Sequence, residues 1–265
     1  MRYLITFSYD GTCFNGYQKQ GNLRTVQGEI EKALKYINGG RNTPITSSGR
    51  TDKKVHALCQ KAHCDIKVDI TEYKLKRALN SNLPEDIHVI DTKVVDDDFH
   101  ARYMVIEKEY KYYLNMGEYN PIERNYVYQY GKNLDVDKMK EAINYFVGTH
   151  DFKSFTPAKD KRNNYVRTIN YVNIEEIDNK LVFTFRGTGF IKYQIRNMVG
   201  YLIRVGEGKK SGEDIPLILE KKDRRCASIT AHAEGLYLTS VKYWLFNDII
   251  GKSIILCWQI LLKLV

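Results

Sequence analysis

The chain has 265 residues, 43% of them hydrophobic and 28% charged, which is typical of a globular protein with one large or two ordinary domains. The formal net charge of +9 favours an acidic partner, nucleic acid first, although a solvated lysine surface gives the same total. The five cysteines include no Cys-x-x-Cys pair, which argues against a disulfide scaffold or a zinc site and favours a reducing, cytoplasmic compartment.

The first half of the chain predicts the element order β-α-β-β-α-β. Strands are predicted from alternating or short apolar runs, and helices from a capping threonine followed by apolar residues at helical spacing. The predicted elements are a strand over 2–9, a helix capped by Thr25 and stopped by Gly39, strands at 44–48 and 57–66, a helix capped by Thr71 through about Ser81, and a strand over 87–95.

The second half predicts the same order again. Its elements are a strand over 108–114, a helix capped by Asp135 through Val147, a hairpin of 165–177 and 181–186 around Asp178-Asn179, helices over 192–205 and 211–220, and a strand over 236–243. Two such units indicate an α+β protein built from two ferredoxin-like, RNA-recognition-like halves. Their strands would form a continuous mixed or antiparallel sheet with a cleft between the halves.

We expect three segments along the chain: an N-terminal α/β half over 1–105, a C-terminal α/β half over 106–243, and an apolar extension over 244–265. In the extension, the fully apolar run is too short for an ordinary membrane span. A helix packed on the body or on a second subunit is the expectation for it, with no membrane partner.

The loop between the predicted strands at 44–48 and 57–66 carries a candidate nucleophile. It reads Gly49-Arg50-Thr51-Asp52-Lys53-Lys54-Val55-His56-Ala57. An arginine close to a carboxylate favours its ionised form, so Arg50 is expected to lower the pKa of Asp52. A charged carboxylate can then act as a nucleophile. A solvated turn is the alternative for so short a motif.

The loop closely resembles the catalytic motif of the TruA family of tRNA pseudouridine synthases. Other segments resemble that family in the same order along the chain: Tyr9-Asp10-Gly11-Thr12, Phe99-His100-Ala101-Arg102, Tyr110-Lys111-Tyr112, Arg196-Asn197-Met198-Val199-Gly200 and Gly235-Leu236-Tyr237-Leu238. The resemblance implies the pseudouridine synthase fold, no cofactor, a homodimer, and tRNA as partner, with uridines 38–40 of the anticodon stem-loop as targets.

The resemblance also implies roles for individual residues. Asp52 would be the nucleophile, attacking either C6 of uracil or C1′ of the sugar. Arg196 would pair with Asp52, Tyr110 would pack on the target base, and Arg50 would help to evert the nucleotide and hold a phosphate. Ordinary alternatives are a helix-surface arginine for Arg196 and a core strand tyrosine for Tyr110. Basic residues in a separate cluster could contact phosphates or simply be solvated: Lys159, Lys161 and Arg162.

Lys54 departs from the family motif, which usually has glycine before Val55-His56-Ala57. A glycine there can supply a backbone angle that lysine adopts only at a cost. Altered loop geometry or a different RNA target is therefore expected before loss of catalysis. Besides the synthase, two further readings stay open: a catalytically silent RNA-binding protein on the same sheets, and a hydrolytic N-glycosidase that would release free uracil.

Overall fold

A computed structural model describes residues 1–160, 162–227 and 229–244. Five α-helices lie in this part of the chain: α1 (Val26–Ile37), α2 (Glu72–Asn82), α3 (Val136–Ile143), α4 (Gln194–Gly206) and α5 (Ile215–Lys221). Thr25, Thr71 and Asp135 each accept a main-chain N–H with their side chains and so cap α1, α2 and α3 as predicted. None of the helices in the described ranges is both long and apolar enough to cross a membrane.

The strands join in one mixed sheet. They are β1 (Arg2–Tyr9), β2 (Thr46–Ser47), β3 (His56–Asp65), β4 (Ile87–Val95), β5 (Val105–Asn115), β6 (Tyr128–Gln129), β7 (Gly148–Asp151), β8 (Val166–Ile177), β9 (Lys180–Gly187) and β10 (Leu236–Tyr243). The main path runs β4-β1-β3-β10-β5-β9-β8-β7, with β2 on β3 and β6 on β5. The predicted α+β fold with two ferredoxin-like halves is confirmed: β4-β1-β3-β2 and β10-β5-β9-β8 have the same order.

Alternating side chains place the main core on one face of the sheet. In β1, Tyr3, Ile5 and Phe7 are fully buried and pack with Ile30 of α1 and Leu79 of α2. In β5, the residues of the same parity, Tyr110, Tyr112 and Leu114, belong to the same continuous core with α3 and α4. Because successive strand residues point to opposite faces, this pattern places the helices of both halves against a single face.

The two halves meet at one short parallel pairing. Tyr237 and Leu238 of β10 pair with His56 and Ala57 at the start of β3. Farther along the same edge of β3, Thr46 and Ser47 of β2 pair antiparallel with His63 and Ala62. The loop between β2 and β3, which carries Asp52, therefore ends at the junction of the halves.

The structure differs from the sequence predictions in a few elements. The strands β6 and β7 were missed, and β5 is longer than predicted, running over Val105–Asn115. The helix predicted from Asp135 through Val147 ends at Ile143 and continues as a 3₁₀ turn over Asn144–Phe146. Apart from Trp244, the predicted apolar extension lies outside the described residues, as does Lys161.

Candidate active site

Residues near the start of the chain hold the Asp52 loop through hydrogen bonds and close backbone packing. The Tyr9 hydroxyl and the Thr51 hydroxyl form a hydrogen bond of 2.8 Å, and the Tyr17 amide donates to the Thr51 carbonyl at 3.1 Å. Gly11 allows the approach, since a Cβ there would lie 2.1 Å from the Val55 carbonyl oxygen. The Tyr-Asp-Gly segment at the start of the chain therefore supports the loop that carries the carboxylate.

Lys54 adopts a left-handed backbone conformation with φ of +65°. Its side chain is exposed. This is the conformation that the missing glycine would supply without steric conflict between Cβ and the backbone. The backbone angle expected of the motif glycine is therefore present at Lys54, and the loop keeps the glycine-like turn with lysine in place.

Lys54→Gly should raise the free energy of unfolding by about 0.5–1 kcal/mol, because relief of the left-handed strain outweighs the added freedom of the unfolded chain. Urea unfolding of the two proteins measures the difference. Lys53→Gly is the matched control: Lys53 is also exposed but does not have a positive φ, so this variant should lose stability. Equal effects of the two substitutions would contradict the assignment of strain to Lys54.

The Asp52 carboxylate faces the N-terminus of α4 from across the cleft. Its Oδ2 lies 3.9 Å from Nη1 of Arg196, and both side chains are mostly buried, with 19% and 15% exposed. Arg196 is held in place by a hydrogen bond of 2.8 Å from its Nε to the Ala231 carbonyl. The helix begins after Tyr193, which has a φ of +62° and provides no side-chain cap. Asp52 thus brings a negative charge to a helix N-terminus, where the helix dipole favours it.

Burial raises the pKa of Asp52 above its ordinary value, and this effect outweighs the lowering by Arg196, Lys192 and the main-chain N–H of Tyr193. The expectation that Arg50 lowers this pKa is wrong. Arg50 is exposed, and the cations that act on the carboxylate come from the second half of the chain. The pair with Arg196 is a single long contact and not a bidentate one.

Tyr110 lies in the same cleft on β5 and is 7% exposed. Its ring meets the edge of Phe190 at 5.3 Å between centroids. Burial raises the pKa of Tyr110 well above its usual range, with smaller contributions from Tyr9 and Asp52. Tyr112, the ordinary core tyrosine expected nearby, is fully buried and donates to the His232 carbonyl. Tyr110 therefore presents an aromatic group close to Asp52, whereas Tyr112 belongs to the core.

A cleft of about 870 Å³ between the halves contains these groups. Among the described residues that line it, Asp52 is the single carboxylate. The cations from the Asp52 loop and the start of α4 are Arg50, Lys53, Lys192 and Arg196. The other cations that line it are Arg102, Lys108, Arg162 and Arg167. Such an excess of positive charge around one carboxylate suits a polyanionic ligand.

The predicted basic cluster divides in the structure. Arg162 lines the cleft, but its guanidinium is bound in bidentate fashion by Asp160, at 2.8 and 2.7 Å. Lys159 is exposed and does not line the cleft, and Lys161 lies outside the described residues. Sequence reasoning missed five other cleft cations: Lys53, Arg102, Lys108, Arg167 and Lys192. Lys108 could have been found from the sequence. It alternates with Tyr110, Tyr112 and Leu114 along one predicted strand, so its side chain should point to the same buried face of the sheet.

This arrangement can support nucleophilic catalysis on an anionic substrate. A mostly buried carboxylate has few waters to displace, and Arg196 and Lys192 favour its charged form. An aromatic side chain beside it, Tyr110, can receive a flat base. Nowhere in the described part of the chain do three or more His, Cys, Asp or Glu side chains group as metal ligands would.

Comparisons with known proteins agree with this geometry. The family model described as tRNA pseudouridine synthase matches residues 5–104 and 142–244. Two curated relatives, both called tRNA pseudouridine synthase A, come from Streptococcus pneumoniae serotype 19F (strain G54) and Streptococcus pneumoniae (strain P1031). Each is 45% identical over 245 residues, which is 91% of this chain and 98% of the relative.

Among solved structures, the chain is similar to a Cbf5-Nop10-Gar1 complex, with a TM-score of 0.34 and 13% identity over 89% of this chain and 57% of that chain. That likeness is too slight to bear on function. The family model covers most of the chain, including Asp52 and Arg196 in the cleft, and the curated relatives match 91% of the chain. The chain belongs to the TruA family of tRNA pseudouridine synthases.

Proposed function

We propose that this protein isomerises uridine to pseudouridine in tRNA, at positions 38–40 of the anticodon stem-loop, with Asp52 as the nucleophile. The observation that carries the proposal is a large cleft whose described lining has one carboxylate, Asp52, among cations from both halves. The family membership supports the same reaction, and the relatives at 45% identity are named for it.

The reaction exchanges one glycosidic bond for another. The C1′–N1 bond breaks, uracil turns, and a C1′–C5 bond forms; C5 then loses its proton and N1 gains one. Atoms and electrons balance without an oxidant, a reductant or a leaving group, so the chemistry calls for no cofactor. Asp52 would form a transient covalent bond, either to C6 of uracil or to C1′ of the sugar. Both routes require the target base to leave the RNA stack.

The neighbours of Asp52 support this chemistry by position. Arg196, fixed by the Ala231 carbonyl, orients the carboxylate and favours its ionised form. Tyr110 offers a ring to the everted base, in place of stacking worth roughly 1–3 kcal/mol. Arg50 is exposed at the rim of the cleft, where a guanidinium can hold a phosphate as the nucleotide turns out.

A tritium-release assay tests the proposal directly. Unmodified tRNA carrying [5-³H]uridine should lose tritium to water on incubation with the wild-type protein, because pseudouridine formation expels the C5 hydrogen. Sequencing after carbodiimide treatment should place the new pseudouridines at positions 38–40. Free uracil and abasic sites in place of pseudouridine would identify a hydrolytic N-glycosidase.

Two other outcomes would change the proposal. Tight tRNA binding without tritium release, across several tRNAs, would favour a silent RNA-binding protein. Release from other RNA positions would favour a synthase with a different target.

A cytoplasmic homodimer completes the proposal, as expected for this family. Light scattering at micromolar protein concentration would decide between the dimer and a monomer.

A further inference from the structure

The cleft contains a second charged centre besides Asp52. The cations that act on the pKa of Asp52 are Arg196 and Lys192, whereas those that act on Lys108 are Arg102 and Arg167. Within the described residues, none of Arg102, Lys108 and Arg167 forms an ion pair with a carboxylate. Three cations from three parts of the chain thus converge without a counter-charge.

Lys108 is the most buried of the three, with 9% of its surface exposed. Its Nζ donates to the Ser48 carbonyl at 2.6 Å, which leaves two of the three ammonium protons without a described acceptor. Gly49 gives it room, since a Cβ there would lie 2.7 Å from Nζ. Burial, with Arg102 and Arg167 nearby, lowers the pKa of Lys108 to about 8. The fold maintains a cation here in spite of its desolvation cost.

The residue before Arg102 is anchored through both its amide and its carbonyl. This residue, Ala101, is fully buried, its amide donates to Nδ1 of His63 at 3.0 Å, and its carbonyl accepts the Tyr243 hydroxyl at 2.6 Å. Burial lowers the pKa of His63 to about 4, so its ring is neutral and can accept. The exposed guanidinium of Arg102 therefore enters the cleft from a rigid support, which favours binding of a ligand over free motion.

Arg167 approaches from the second half, near the start of β8. It is partly buried, and its Nη1 donates to the Val166 carbonyl at 2.5 Å. Burial and the charges of Arg162 and Arg102 lower the pKa of Arg167. Arg162 differs from it because Asp160 already neutralises the Arg162 guanidinium. Of the described cleft cations without an ion pair, Lys108 and Arg167 are at least partly buried, whereas Arg50, Lys53, Arg102 and Lys192 are exposed.

We propose that Arg102, Lys108 and Arg167 form a subsite for one backbone phosphate of the RNA strand, next to the target nucleotide. The inference rests on the proposed function. Lys108 lies two residues before Tyr110 on the same face of β5, so their Cα atoms are about 7 Å apart. A base on Tyr110 therefore brings its own strand within reach of the subsite. A phosphate would supply the missing counter-charge with acceptor oxygens for several N–H groups.

Binding of a short anticodon stem-loop RNA at several salt concentrations tests the subsite. Arg102→Gln should weaken binding about tenfold and reduce the slope of log K against log salt by about 0.7–0.9. Lys108→Met should act in the same direction. Tritium release at subsaturating RNA should fall for Arg102→Gln by about the same factor as the affinity, because weaker RNA binding lowers kcat/KM.

Lys140→Met is the matched charge control for Lys108→Met, because Lys140 is exposed on α3 and does not line the cleft. It should leave the affinity and the salt slope unchanged. Lys108→Met also removes the hydrogen bond to Ser48 and could therefore fail to fold. In that case the result for Arg102→Gln tests the subsite. Wild-type affinity and salt slope for Arg102→Gln would overturn the subsite. Lack of tritium release by the wild type would instead refute the proposed function, and the binding data would still decide the subsite.

Neutral linkages identify the phosphate. Stem-loop RNAs that each carry one methylphosphonate near the target should include one that weakens wild-type binding about tenfold. The same methylphosphonate should weaken the binding of Arg102→Gln little further, because this variant already lacks the contact with that phosphate. This non-additivity is what a double-mutant cycle measures for two groups in contact. Additive losses at every linkage would show that Arg102 contacts none of these phosphates and would overturn the proposal.

Discussion

Asp52→Asn should lower the rate of pseudouridine formation by at least about 10³-fold, because the amide has the shape of the carboxylate but cannot form the covalent bond. Tritium release under single-turnover conditions measures the loss. RNA binding should be retained or tightened, since the substitution removes the single negative charge among the described residues of a cationic cleft.

The fold should tolerate this substitution. A carboxyl whose pKa is raised by folding lowers stability as the pH rises from its unfolded-state pKa through its folded-state pKa, so at neutral pH the uncharged asparagine should not reduce the free energy of unfolding. Asp91→Asn, at an exposed position on β4, is the control and should retain full activity. Residual activity of Asp52→Asn within tenfold of the wild type would assign the nucleophile elsewhere.

Arg196→Gln should reduce kcat by about 10²-fold or more, because the carboxylate loses the group that orients it. It should also shift the acid limb of the pH profile. The active carboxylate is the charged form, so kcat/KM falls as the pH falls through the pKa of Asp52. Arg196 is the largest of the effects that lower this pKa. Its loss should therefore move the limb to higher pH.

Arg196→Lys separates charge from geometry. It keeps a cation near Asp52 but loses the guanidinium that bonds simultaneously to the Ala231 carbonyl. The acid limb should return towards the wild-type pH, while kcat should recover only in part. A purely structural role for Arg196 would lower the amount of folded protein and leave the limb in place. An unmoved limb in well-folded Arg196→Gln would contradict the assigned pair.

Local chemistry made most secondary structure predictable. The caps at Thr25 and Thr71 depend on their own side chains and the next turn of helix. The hairpin at Asp178-Asn179 has positive φ at both turn residues, as a two-residue connection between strands favours. The short strands β6 and β7 escaped prediction because two and four residues carry too little periodicity.

The candidate site shows the same division. The family motifs, found in order along the chain, were sufficient to single out Asp52, Tyr110 and Arg196. The missing motif glycine was sufficient to predict strain at Lys54. The pKa of Asp52 was not predictable, since it depends on burial and on cations more than a hundred residues away along the chain. Nor could the sequence show that Arg102 and Arg167 converge on Lys108.

By itself, therefore, the amino-acid sequence determined most of the elements, the fold class, the family and the order of the family motifs, because caps, turns and motifs act over a few neighbouring residues. The tertiary structure alone decided how the two halves join at β3 and β10, which cations surround the carboxylate, and where positive charge stays uncompensated. Those properties arise from desolvation and Coulomb interactions between side chains that only folding brings together.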